Sequence, residues 1–101
     1  THLACLVLAE TVSGREVRTA AGLASGPTLD PLQEAFMEHF AAQCGFCTPG
    51  MLVSARALLD RTPAPTRDEV VEAISGNLCR CTGYEPIIEA ILSVAQGRAR
   101  A

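Results

Sequence analysis

Apolar positions between residues 30 and 96 recur at helical spacing in four separate segments. In the first, Leu32, Phe36 and Phe40 fall every fourth residue with Ala35 beside them, which is the stripe of a helix that buries one face. Asp30 suits its N-cap and Pro31 its first helical position, where the missing N–H costs nothing. The pattern predicts a helix running to about Gln43. Met51, Leu52, Ala55, Leu58 and Leu59 mark a second helix, with Thr48 as N-cap and Pro49 first inside. Arg61 to Pro65 breaks it. Thr66 and Glu69 form a capping box for a third helix, whose core residues are Val70, Val71 and Ile74. Ser75-Gly76-Asn77 closes that helix. Ile87, Ile88, Ile91, Leu92 and Ala95 define a fourth, with Pro86 in its first turn and Gln96-Gly97 at its end. The Arg-Ala tail after it is expected to fray.

The first thirty residues read differently. Thr1 to Glu10 is apolar and fits a short helix or a strand. Ser13-Gly14 signals a turn that could feed a strand over Glu16 to Thr19. Gly22, Gly26, Pro27 and Pro31 mark a linker. The fold class expected is therefore all-α: two helix–loop–helix pairs, with pseudo-two-fold symmetry and their loops side by side at one end.

Composition narrows the class. Apolar residues make up 49% of the 101-residue chain, a globular rather than disordered balance. The longest apolar run, Leu3 to Ala9, is far short of the roughly 18 residues of a membrane span, and no charged segment precedes it as in a signal peptide. A net charge of −3 argues against a nucleic-acid partner, which calls for a basic face.

The five cysteines carry the chemistry. Four fall in two loops, Gln43-Cys44-Gly45-Phe46-Cys47-Thr48-Pro49-Gly50 and Asn77-Leu78-Cys79-Arg80-Cys81-Thr82-Gly83-Tyr84. The spacing is C-x2-C, then residues 48–78, then C-x-C. Disulfides are disfavoured, because a C-x-C pair bridges internally only with strain. Two metal readings stand. A structural zinc site also takes four thiolates, and C-x2-C is its usual half; C-x-C is less usual there. A [2Fe-2S] cluster is wider than one ion, so two loops can each supply two thiolates. Its negative charge would be offset by the two helix N-termini that follow the loops. Whether each loop serves one iron or the loops cross is open.

The neighbours of these thiols have plain and functional readings. Arg80 is either a counter-cation or a surface residue. Phe46 is a core residue, a shield against water, or part of a docking surface. Tyr84 packs under its loop or faces a partner. His2 and His39 are isolated, and no Ser/His/Asp or Cys/His set occurs at recognisable spacing.

The two cysteine loops, with Met51 after the first and Gly76 before the second, resemble the signature loops of the iron–sulfur subunit of the xanthine oxidase, or molybdenum hydroxylase, family. The likeness extends from Val17 to about Ala95. It implies a four-helix domain over residues 25–101 binding one [2Fe-2S] cluster through Cys44, Cys47, Cys79 and Cys81. It implies partners as well: a large subunit holding molybdopterin, faced by Gln43 and the Cys81 loop, and a medium subunit holding FAD. The chain would then pass electrons from the molybdenum site toward the flavin in a cytoplasmic oxidoreductase, with no catalytic site of its own.

Family members begin with a plant-type ferredoxin domain carrying a second cluster. Residues 1–24 resemble only the C-terminal remnant of that domain. Cys5 matches its last ligand and the other three have no counterpart, so Cys5 is expected to be a free thiol or a small buried apolar residue. The missing ligands and the start at Thr1 suggest a fragment lacking its first part.

Overall fold

The computed structural model describes residues 1–100, with side chains through Gly97. Four helices carry the fold: α1 (Pro31–Glu38), α2 (Thr48–Arg61), α3 (Arg67–Ile74) and α4 (Glu85–Arg100). Before them lie three 3-10 turns, Ala4–Leu6, Ala9–Val12 and Ala20–Gly22. No strand occurs among the described residues; one isolated bridge joins Ser25 and Thr28. The strand expected over Glu16 to Thr19 does not form, since no second strand is there to take its backbone hydrogen bonds.

Each helix is built for the face it buries. Asp30 caps α1 by accepting from the Leu32 N–H at 2.9 Å, and Gln33 reaches back to the Asp30 N–H at 2.9 Å. Thr66 and Glu69 do the same for α3, at 3.2 and 2.9 Å. Leu32, Met51, Leu59, Val70, Ile87 and Ile91 are fully enclosed where the four stripes meet. α1 packs on α4 and α2 on α3, while α1 also touches α2 and α3 touches α4. Exchanging the first pair for the second maps this set of contacts onto itself, as a pseudo-two-fold bundle requires.

The helix ends depart from the sequence pattern. α1 stops at Glu38 instead of Gln43 because Phe40 adopts a left-handed conformation, φ 53°. The Ala41 N–H then bonds the Phe36 carbonyl at 2.9 Å and the Phe40 N–H the Met37 carbonyl at 3.3 Å. This is the Schellman arrangement, usually made with glycine. It turns Phe40 outward, 80% exposed, and seats Ala41 in the core in its place. At α2 the N-cap is Cys47, with Thr48 and Pro49 already inside the helix. Val71, expected in the core, is exposed. α4 continues past Gln96-Gly97 to Arg100. Its expected fraying concerns side chains and a last residue outside the described set.

One charged side chain is buried among the described residues. Arg56 on α2 is 6% exposed. Its Nη1 donates to both carboxylate oxygens of Asp30 at 3.2 Å, and its Nε donates to Asp60 at 3.1 Å. Asp60 also accepts from Arg18 at 3.2 Å. The network ties the start of α1, the middle of α2 and the N-terminal segment together.

Candidate metal centre

The first cysteine loop lies between α1 and α2, the second between α3 and α4. Bundle packing therefore delivers both to one end. Gly45 and Gly83, at φ 83° and 71°, let the two loops turn back through a conformation closed to most side chains. The loops are also stitched together. Asn77 donates to the Ser54 hydroxyl of α2 at 2.9 Å. Its Oδ1 lies where a Cβ on Gly50 would come within 2.5 Å, so the second loop seats directly on the first turn of α2.

All five cysteines are free thiols. Those of the two loops meet across the gap. Cys44 and Cys81 stand with their Sγ atoms 3.6 Å apart, and Cys47 lies close enough to Cys79 for each thiol to perturb the other's pKa. A tetrahedral metal with metal–sulfur bonds of about 2.3 Å spaces two of its sulfurs about 3.8 Å apart. Among the described residues, no group of three or more His, Cys, Asp or Glu side chains gathers to hold a single ion. The arrangement is two pairs, each drawing one thiol from each loop.

Within each pair one thiol is drawn toward the anion and the other away from it. The Phe46 backbone N–H and then the Cys81 side chain lower the pKa of Cys44, while Cys44 raises that of Cys81. The Thr82 hydroxyl and then its N–H bring Cys79 down to about 7. Burial and then Cys79 push Cys47 up to about 11. Cys79 is buried and Cys47 half-buried, whereas Cys44 and Cys81 are exposed.

The surroundings fit a negatively charged cluster. Neither loop contains a carboxylate. Cys47 caps α2 with no side-chain hydrogen bond to its first turn, leaving helix N–H groups and dipole beside the sulfurs. The Thr48 hydroxyl is buried with no partner. Gln43, Arg80 and Phe46 are all exposed, Phe46 by 94%. That excludes the core reading of Phe46. Tyr84 packs against the core, and its hydroxyl accepts from the Cys79 N–H at 3.0 Å. Cys5 is exposed, not the small buried residue that was one expectation. Thr82 and the Asn77–Ser54 stitch escaped the reading of the sequence; only their place beside ligands hinted at a role.

The sequence profile of the [2Fe-2S] binding domain family matches residues 19–92. The chain belongs to this family. The resemblance of its two loops to iron–sulfur parts of the xanthine oxidase family is upheld by its relatives. It is 59% identical over 88 residues to the nicotine 6-hydroxylase small subunit of Paenarthrobacter nicotinovorans, covering 87% of this chain and 53% of that protein. It is 51% identical over 88 residues to aldehyde oxidase 1 of Oryctolagus cuniculus, covering 86% of this chain and 7% of that protein. Among solved structures, quinoline 2-oxidoreductase from Pseudomonas putida 86 superposes with a TM-score of 0.85 at 53% identity, over 97% of this chain and 62% of that one. The aldehyde oxidoreductase of Desulfovibrio gigas gives 0.89 at 38% identity, over 96% of this chain and 11% of that one. The chain thus spans about half the length of the nicotine 6-hydroxylase small subunit. The [2Fe-2S] binding domain is all helical, as its two-pair sequence pattern implied.

Proposed function

We propose that this chain is an electron-transfer element of a molybdenum hydroxylase, holding one [2Fe-2S] cluster through Cys44, Cys47, Cys79 and Cys81. The observation that carries the proposal is the crossed pairing of thiols: Cys44 with Cys81 for one iron, Cys47 with Cys79 for the other. Two close pairs suit two irons bridged by sulfide better than one zinc ion, which needs all four sulfurs around a single point. When bound, the cluster supplies a one-electron carrier. The bundle holds the ligands rigidly, and the exposed edge at Cys44 and Cys81 leaves a short path to a partner.

That edge is framed by Phe46 and Leu78, exposed by 94% and 87%, with Gln43 beside it. Large apolar side chains left in water beside a redox site suit burial by a partner. The proposed partners are a molybdopterin-binding subunit, met by Gln43 and the Cys81 loop, and an FAD-binding subunit that receives the electrons. Catalysis belongs to the molybdenum partner. Among the described residues no helix is long and apolar enough to cross a membrane, and five free thiols suit the reducing cytoplasm. Residues 1–24 are proposed to be the end of a ferredoxin-like domain, with Cys5 its last ligand and no part of the present cluster.

The test is the colour and metal content of the purified protein. Two irons and two sulfides per chain, with visible bands that bleach on dithionite, are expected. A colourless protein with one stoichiometric zinc would refute the proposal in favour of a structural interaction domain.

A further inference from the structure

Residues 79–84 close a ring of hydrogen bonds on themselves. The Cys79 N–H donates to the Tyr84 hydroxyl at 3.0 Å. The Tyr84 N–H donates to Thr82 Oγ1 at 3.1 Å. Thr82 Oγ1 lies 3.0 Å from Cys79 Sγ, and the Thr82 N–H donates to the same sulfur at 3.4 Å. The direction of the hydroxyl follows from its partners. Its oxygen already accepts from Tyr84, so its own proton is free to point at the sulfur. A metal-bound thiolate has no proton to give, so with metal present the hydroxyl is the donor. Tyr84 holds this geometry at φ 72°, a conformation unfavourable for a side chain this large. Cys79, 9% exposed, is the most enclosed of the four thiols, so water is poorly placed to replace the hydroxyl. Among the described residues, no other thiol has a hydroxyl partner.

We infer that Thr82 sets the reduction potential of the centre by donating its hydroxyl proton to Cys79 Sγ, with Tyr84 positioning it. The inference rests on the cluster proposed above. A cluster held here would take one electron from the reductant, and the added negative charge would fall partly on its ligand sulfurs, Cys79 Sγ among them. A donor at sulfur stabilises that added charge and raises the potential. Cys79 would be distinguished from the other three ligands by this bond.

The experiment compares wild type, Thr82→Val and Thr82→Ser in the cluster-loaded protein by redox titration, followed by visible absorbance and the electron paramagnetic resonance of the reduced state. Iron and sulfide content are measured first. A wild type without two irons defeats the cluster reading itself, independently of Thr82. With iron content equal, Thr82→Val should lower the reduced-to-oxidised ratio at the wild-type midpoint about tenfold, a shift of about 59 mV for a one-electron couple. Thr82→Ser should remain within about twofold of wild type, because it keeps the donor. A Thr82→Val midpoint equal to wild type would overturn the inference, as would Thr82→Ser shifting as far as Thr82→Val. If Thr82→Val loads less iron, Thr82→Ala removes the hydroxyl without placing a second methyl there and takes its place. Loss of iron from both, with Thr82→Ser loaded, would make the hydroxyl a retaining group and also overturn the inference.

Discussion

Replacing Arg56 by leucine should be costly even though it adds an apolar side chain to the bundle. The guanidinium bonds both oxygens of Asp30 at 3.2 Å, and the two side chains are 7% and 12% exposed. Removing the cation leaves a carboxylate in a site nearly closed to water. Breaking one side of such a pair costs about 3–5 kcal/mol. The lower end applies here, because Asp30 still accepts from the Leu32 N–H. The second partner, Asp60, is 50% exposed and adds little, as expected of a pair open to solvent. At about 5 °C per kcal/mol for a domain of this size, the thermal midpoint should fall by about 15 °C. Far-UV circular dichroism of the cluster-loaded protein reads this, with visible absorbance confirming equal loading. The double variant Arg56→Leu with Asp30→Ser separates the causes. Serine keeps a capping oxygen for α1 while removing the stranded charge, so the midpoint should return to within about 5 °C of wild type. A single variant that loses less than about 5 °C, or a double variant worse than the single, would refute the argument.

Three further outcomes follow from the site. Cys79→Ser should lose most of the bound iron, since Cys79 is the enclosed ligand of its pair; full iron content by colorimetric assay would refute the ligand set. Cys5→Ser should leave iron and sulfide content unchanged, and loss of iron would show that Cys5 is not separate from this centre. Gly50→Ala should destabilise by about 1 kcal/mol, in spite of alanine's helix propensity, because its Cβ displaces Asn77 from Ser54. In an Asn77→Ala background the same change should be neutral or stabilising. Equal effects in both backgrounds, measured by thermal unfolding, would dismiss the stitch between the loops.

The helices were legible because their stripes and caps are local signals. Asp30 and Thr66 cap as their spacing with Gln33 and Glu69 implies. The end of α1 was hidden because a phenylalanine, not a glycine, occupies the left-handed position that closes it. Val71 and Phe40 have core chemistry but exposed positions, and only tertiary packing decides which side of a stripe stays open. Arg56 is the converse, a charge inside an apolar helix whose partners lie 26 residues before it and four after it. In the cysteine loops the residue types named the chemistry, while the crossing of Cys44 to Cys81 depends on how two helix pairs dock. Thr82 was silent in the sequence, since its role comes from the turn that folds it back on Cys79.

The crossed pairing makes the proposed centre a chain crosslink as well as a redox site. Neither loop owns a complete iron position, so neither helix pair could retain an iron by itself. Cys44 and Cys81 are 37 positions apart, and fixing such a loop in the unfolded chain removes conformational entropy equivalent to about 4 kcal/mol. The inner link from Cys47 to Cys79 closes almost the same loop and adds much less. Metal loading and completion of the bundle are therefore coupled events: the chain must bring its two halves together before it can keep either iron.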